Sequence, residues 1–246
     1  MNKIMKQRDL QPEKMDDPSL PKHDHVLALK GLARLNRVSG VEGSMFRAVR
    51  KFVDGRPGRR LRVLDVASGS GDVPLGWVKR AQHEGWSIDL TCVDNRQTAC
   101  EEQQRRAGEQ GLKIQSLQQD CIAQPLPSGF DVVTCSLFFH HLTNPQVFRL
   151  LQAMQLASVG GLVLCDLERS RLNLELVRVA AHCLSRSSVV HYDATTSVRA
   201  AFTLDEFQTL ASSALARPFR VHRVFPCRFL LIASELMAKS LTPVIA

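Results

Sequence analysis

The sequence predicts an α/β fold: a seven-stranded, mostly parallel sheet with helices on both faces. Three observations carry this. Short apolar runs rich in branched residues alternate with segments of helical periodicity. The first apolar run, Leu61 to Val66, ends in a turn through Ser68, Gly69, Ser70 and Gly71, as a buried parallel strand does where it opens a helix. Near the C-terminus, two β-like runs surround Pro226–Cys227, which predicts an antiparallel hairpin at one sheet edge.

Taken in order, residues 1–24 are polar and contain proline, and are expected as a flexible N-terminal arm. From His25 to Phe52 the apolar spacing is helical, with Gly40 and Gly43 expected to divide two helices. The linker DGRPGRR leads into the first strand. After the glycine turn, Val73 to Gln82 reads as a helix with Pro74 in its first turn, where a missing N–H costs nothing. Ile88 to Val93 is a second strand ending at Asp94, and Gln97 to Gln110 a polar helix closed by Gly111. Ile114 to Leu117 is a short third strand. Phe130 to Phe139 is a continuously apolar fourth strand running into His140 and His141. A helix over Pro145 to Leu156 is stopped by Gly160 and Gly161 before a fifth strand, Leu162 to Cys165. Residues 171–196 are less regular. Thr203 and Glu206 form a capping box that opens a helix to about Ala214. The hairpin pairs Phe219–Phe225 with Arg228–Ile232, and residues 237–246 are expected as a C-terminal tail. One domain, 25–236, holds all of this; helices in 25–54 and the segment 170–200 are expected to form a lid.

The composition is that of a soluble globular chain of 246 residues, long enough for one large core. The net charge of +8 has no dense basic block and no interleaved aromatics. It reads as a generally basic surface, and no nucleic-acid partner is expected. Seven cysteines are scattered singly without a CxxC pair. This fits buried free thiols in a reducing compartment, and no metal site is expected. The first residues lack the apolar segment of a secretory signal, and no run is long enough to span a bilayer. The expected location is cytoplasmic.

The glycine turn suits a nucleotide or nucleotide-like cofactor, because two glycines let backbone N–H groups approach a ligand closely. A dinucleotide fingerprint, GxGxxG, would need a third glycine where Pro74 stands. An NAD(P)-dependent oxidoreductase is therefore the alternative reading. The stretch VLDVASGSGDVP, residues 63–74, resembles motif I of class I S-adenosylmethionine-dependent methyltransferases, in the D-x-A-x-G-x-G-D form of the quinone-biosynthesis C-methyltransferases and related small-molecule enzymes. Leu35 to Gly40 (LNRVSG) loosely resembles the Asn-x-x-Ser segment before motif I in that group. The likeness covers about residues 30–170.

The resemblance implies a Rossmann-like class I methyltransferase fold, with S-adenosyl-L-methionine as cofactor. Asp65, Ala67, Gly69, Ser70 and Gly71 would line its methionine end, with Asp65 near the ammonium group. Asp94, with Asn95 beside it, would accept hydrogen bonds from the ribose hydroxyls. Asp120 and Cys121 would meet the adenine, and Ser136 and Leu137 would lie under the methionine moiety. Asp72 either caps the helix or touches the cofactor.

His140 and His141 follow the fourth strand, close to where a reactive methyl group should project. Histidine is the natural base at neutral pH, and the bland alternative is loop packing. His191, Tyr192, Asp193, Ser197 and Arg199 cluster in the irregular segment. His191, Tyr192, Asp193 and Arg199 are the candidate acceptor-binding residues; the competing reading makes Asp193 and Arg199 a surface pair. His182 and Cys183 read as core. The expected reaction is methyl transfer to oxygen or carbon of a small aromatic, quinol-like or polyketide-like acceptor by in-line displacement. RNA or protein as acceptor, and a non-catalytic binding protein, are the remaining alternatives. A homodimer is left open.

Overall fold

The computed structural model describes residues 5–53 and 60–234. The expected linker from residue 54 and the tail at 237–246 fall outside these described residues, except for the linker's last residue, Arg60.

Seven strands form one sheet in the order β3-β2-β1-β4-β5-β7-β6. They are β1 (Arg60–Val66), β2 (Ser87–Asp94), β3 (Gln115–Gln118), β4 (Phe130–Ser136), β5 (Ser158–Leu167), β6 (Phe219–Val224) and β7 (Arg228–Ser234). The first five run parallel, and β7 inserts antiparallel between β5 and β6. The order reverses between β1 and β4, so the carboxyl ends of these two strands face a crevice where an open α/β sheet binds ligands.

Each central strand is buried on both faces, which is why β1 and β4 read as continuous apolar runs. Alternate residues feed two cores. Leu61 and Val63 face α2 (Val41–Val49) and α3 (Asp72–His83), where Trp77 is fully buried. Leu64 and Val66 face α5 (Asn144–Ala157) and α8 (Leu204–Ala214). The Trp77 indole N–H donates to the Glu42 carbonyl, so burying the ring strands no donor. Helix α4 (Gln97–Glu109) lies beside β2 and β3.

Several boundaries differ from the sequence expectation. Helix α1 (Lys22–Ser39) begins three residues early, and only Gly40, in the left-handed region at φ 67°, separates it from α2. Gly43 lies inside α2 and breaks nothing. Gly160 and Gly161 do not stop α5; they lie inside β5. A Cβ on Gly160 would overlap the Asp131 carbonyl oxygen, and one on Gly161 the Ala233 carbonyl oxygen. These glycines serve close strand packing.

The segment expected to be irregular contains two helices, α6 (Arg171–Leu184) and α7 (Ser188–Ala200). Asp193, Thr196 and Ser197 are buried in α7, so polar residues interrupt its apolar face and hide the helical period. His182 and Cys183, expected in the core, are exposed on α6. The 182 ring stacks on His191 at 4.2 Å between centroids.

The N-terminal residues pack against this body. Glu13 is buried, and a 3-10 turn over Lys14–Asp16 is held by α7: the Lys14 and Met15 backbone N–H groups donate to the two Asp193 carboxylate oxygens at 2.8 and 3.0 Å. The Arg8 guanidinium stacks 3.5 Å from the centre of the Phe202 ring and donates to the carbonyls of Ala200, His140 and Leu142. A stretch expected as a flexible arm thus makes specific buried contacts from Arg8 to Asp16.

Candidate active site

A cavity of about 860 Å³ opens at the carboxyl ends of β1, β2 and β4. Its size lies within the range of roughly 300–1,000 Å³ that holds small-molecule ligands. The floor is the glycine turn. Ser68 N–H donates to the Val93 carbonyl and Gly71 N–H to the Ser68 carbonyl, so the turn is pinned at both ends. Ala67 and Gly69 both take positive φ, 54° and 53°. Apart from its two chain neighbours, no atom of the described residues lies within 4 Å of where a Gly69 Cβ would stand, so this residue leaves its cavity side open to a ligand. Gly71 (φ 70°) caps α3 and does not line the cavity; a Cβ there would press on Gln103.

Asp94, at the end of β2, joins this turn to the next. One carboxylate oxygen accepts the Gly69 N–H at 2.8 Å and the other the Arg96 N–H at 3.0 Å. Burial raises its pKa above the ordinary aspartate value. Asn95, Asp120, Cys121, Ser136 and Leu137 line the same cavity. One Asp120 oxygen accepts the N–H groups of Ile122 and Ala123, which fixes the turn after β3. Leu137, at φ 56°, ends β4 in a backbone conformation rarely taken by a branched side chain. Non-glycine residues in this region cost on the order of 1–3 kcal/mol each, and both Ala67 and Leu137 sit on the cavity wall.

Asp65 is not on that wall. It is fully buried under the turn, where one oxygen accepts the Thr134 hydroxyl at 2.6 Å and the other has no partner. Burial drives its pKa up to about 7. The sequence places Asp65 at the right strand end, but side chains alternate along a strand, and this one points to β4.

Asp72 stands in the first turn of α3 and lines the cavity, but it does not cap the helix: the cap is Gly71, with no side-chain cap bond. Its carboxylate accepts the Ser70 hydroxyl at 2.9 Å and the Asn36 amide at 3.0 Å. The LNRVSG segment of α1 therefore docks on the glycine turn through Asn36, while Ser39 lines the cavity beside it.

At the far end stand His140 and His141. Their rings are 4.4 Å apart between centroids. The His140 Nδ1 lies 2.7 Å from Asp166 Oδ1, and the His141 Nδ1 lies 3.0 Å from Asp16 Oδ2. Burial disfavours the His141 imidazolium, but Glu13, Asp16 and Asp166 outweigh it and hold the pKa at about 9.

The four residues proposed from sequence to hold an acceptor do not reach the cavity wall. Asp193 is turned to the N-terminal segment, His191 Nε2 meets the Ser185 carbonyl, and Tyr192 is exposed beneath Lys14. Arg199 lies off the wall and is not half of a surface pair with the buried Asp193. Helix α7 lines the cavity instead through Ala194 and Ser197, one turn apart on the same face.

Sequence reasoning missed Glu13, Asp16, His25, Asp166 and Arg228. Asp166 had a signal: an aspartate at the end of an apolar strand, like Asp65 and Asp94. His25 and Arg228 are buried on the cavity wall, each with a nitrogen that has no hydrogen-bond partner. Glu13 and Asp16 carried no local signal, because their setting is created by a distant helix.

Residues 63–160 match a family model described as a methyltransferase domain. This segment is similar to that family. It contains the glycine turn, Asp94, Asp120 and both histidines. A curated relative, a ubiquinone/menaquinone biosynthesis C-methyltransferase UbiE from Ruegeria sp. (strain TM1040), is 36% identical over 109 residues; the match spans 43% of this chain and 41% of that protein. Among solved structures, a putative O-methyltransferase from Nostoc punctiforme superposes with a TM-score of 0.60 at 17% identity, covering 85% of this chain and 60% of its own. Magnesium protoporphyrin IX methyltransferase from Synechocystis, solved with bound SAH, superposes at 0.55 and 16% identity, covering 83% of this chain and 93% of its own. These structures share this chain's fold over most of its length.

Proposed function

We propose that the chain transfers a methyl group from S-adenosyl-L-methionine to oxygen or carbon of a small acceptor. The observation that carries this is Asp94: a carboxylate on the cavity wall that grips the N–H of Gly69, at the turn inside the segment similar to methyltransferase domains. A carboxylate there suits a ribose diol, and the open side of Gly69 suits the amino-acid end of the cofactor. Cys121 and Ile122 offer the adenine an apolar wall, and Ser136 and Leu137 line the same cavity as the histidine pair.

The cofactor supplies the electrophilic methyl group; the protein binds, orients and excludes water. Apolar residues of α1 and α6, including Leu29, Leu32 and Val177, face the cavity and favour an acceptor with an aromatic or otherwise apolar body. His140 and His141 line the same cavity; His140 is the residue placed to ease loss of the acceptor's proton, while His141, with its pKa held at about 9, stays cationic at neutral pH. A small molecule fits a cavity of this size better than a macromolecule does. Equilibrium binding tests the reading directly. S-adenosylmethionine and S-adenosylhomocysteine bind one per chain, and NAD does not; preference for NAD overturns it.

A further inference from the structure

We propose that Glu13, His140 and His141 hold one divalent transition-metal ion of the zinc class on the cavity wall. The His140 and His141 Nε2 atoms each lie 3.8 Å from the same Glu13 oxygen, Oε1. All three donor atoms fall within 4.8 Å of one another. The sequence offered no such set, because its cysteines are dispersed and Glu13 lies far from the histidines along the chain.

The tautomers follow from the outer contacts. Each Nδ1 faces a carboxylate, Asp166 Oδ1 at 2.7 Å for His140 and Asp16 Oδ2 at 3.0 Å for His141. An Nδ1–H donated to a carboxylate leaves Nε2 as a lone pair. A metal ion displaces the proton that His141 holds at neutral pH, and two ring lone pairs and the Glu13 oxygen then converge on one point. Carboxylates behind both histidines are the outer shell that orients metal-ligating imidazoles and raises their basicity. Two histidines and one carboxylate form a ligand set for zinc-like ions and leave a coordination position open.

Distance and rigidity agree. An ion about 2.0–2.2 Å from each donor sets tetrahedral donors roughly 3.4 Å apart. The observed 3.8 Å separations close to this with shifts of a few tenths of an ångström. Glu13 and His140 are buried, and the Ser197 hydroxyl donates to Glu13 from α7. His141 is the more open ligand, and all three residues line the cavity. Three carboxylates, of Glu13, Asp16 and Asp166, surround the two rings and favour a cation between them. Ion binding stands independently of methyl transfer. Its use rests on the methyl-transfer reading: the open position would take an acceptor hydroxyl oxygen and lower its pKa, the proton leaving to solvent.

The test uses the full chain, freed of metal with a chelator and titrated with Co²⁺ followed by absorption, then with Zn²⁺ in competition. One ion per chain is expected, with the visible bands of a four- or five-coordinate cobalt site, displaced by zinc. His141→Ala weakens binding at least about 100-fold. Asp16→Asn, at an exposed position that spares the fold, weakens it about 10–100-fold. No uptake by wild type, with histidine NMR showing a cluster filled by protons only, overturns the proposal. So does uptake unchanged in His141→Ala. S-adenosylmethionine binding is measured on the same metal-free protein. Its loss with metal uptake intact contradicts the methyl-transfer reading alone; the reverse contradicts the ion alone.

Discussion

Asp166 grips His140 twice: one carboxylate oxygen lies 2.7 Å from the ring Nδ1, and the other accepts the backbone N–H of the same residue at 2.9 Å. The Leu167 N–H donates to the first oxygen as well, at 2.7 Å. Strand β5 thereby fixes the ring that ends β4. Asp166→Asn keeps the shape but puts an amide donor where an acceptor is needed. The expected cost is about 1.5–3 kcal/mol, the range for a hydrogen bond to a charged group, read from urea denaturation. Stability equal to wild type would show that the double contact is not made.

Asp65 predicts a pH dependence. Unfolded, its carboxyl titrates near 3.8; folded, burial holds it at about 7. Between these values the native state keeps a proton that the unfolded chain has released. This contribution to stability is therefore whole below pH 4 and declines as pH rises through 7, by up to about 4 kcal/mol at pH 8. Asp65→Asn retains an acceptor for the Thr134 hydroxyl and removes the titration. Denaturation at pH 5 and pH 8 should show a smaller loss in the variant; equal losses contradict the assignment.

Asp193 ties the N-terminal segment to α7 through two backbone N–H groups. Asp193→Ala leaves both without an acceptor and frees Glu13 from the histidine pair. Stability should fall by about 1–3 kcal/mol, and Lys14 should become a preferred site of tryptic cleavage. Unchanged cleavage at Lys14 would mean that other contacts, such as those of Arg8, hold the segment.

Gly161 lets β5 lie close to β7. An added Cβ would also meet the Phe52 ring at 2.7 Å. Gly161→Ala should cost about 1–3 kcal/mol by overpacking, measured as a lowered denaturation midpoint. A neutral substitution would mean that Phe52 and β7 shift without penalty.

The fold was legible where one level of structure decides it. Branched apolar runs mark β1, β4 and β5 because both faces of those strands are covered. The Thr203–Glu206 capping box marks α8, and the structure makes both of its hydrogen bonds. The residues expected on the cofactor side meet in one cavity for a related reason. They follow strand ends in sequence, so the topology carries Ala67, Asp94, Asp120 and Ser136 to one crevice. Asp65 and Gly71 depart from this because side-chain alternation and helix capping act below the level of strand order. The acceptor side was hidden. Helix α7 buries Asp193 and Ser197 for the sake of residues almost 180 positions earlier, so its pattern looks irregular locally. Glu13 and Asp16 gain meaning only through that contact.

Calorimetry on wild type and Asp94→Ala measures whether Asp94 and the glycine turn hold S-adenosylmethionine. Wild type should bind the cofactor one to one. The variant should bind at least tenfold more weakly, a loss of about 1.4 kcal/mol or more, while keeping a cooperative unfolding transition. Binding as tight in Asp94→Ala as in wild type would contradict the account.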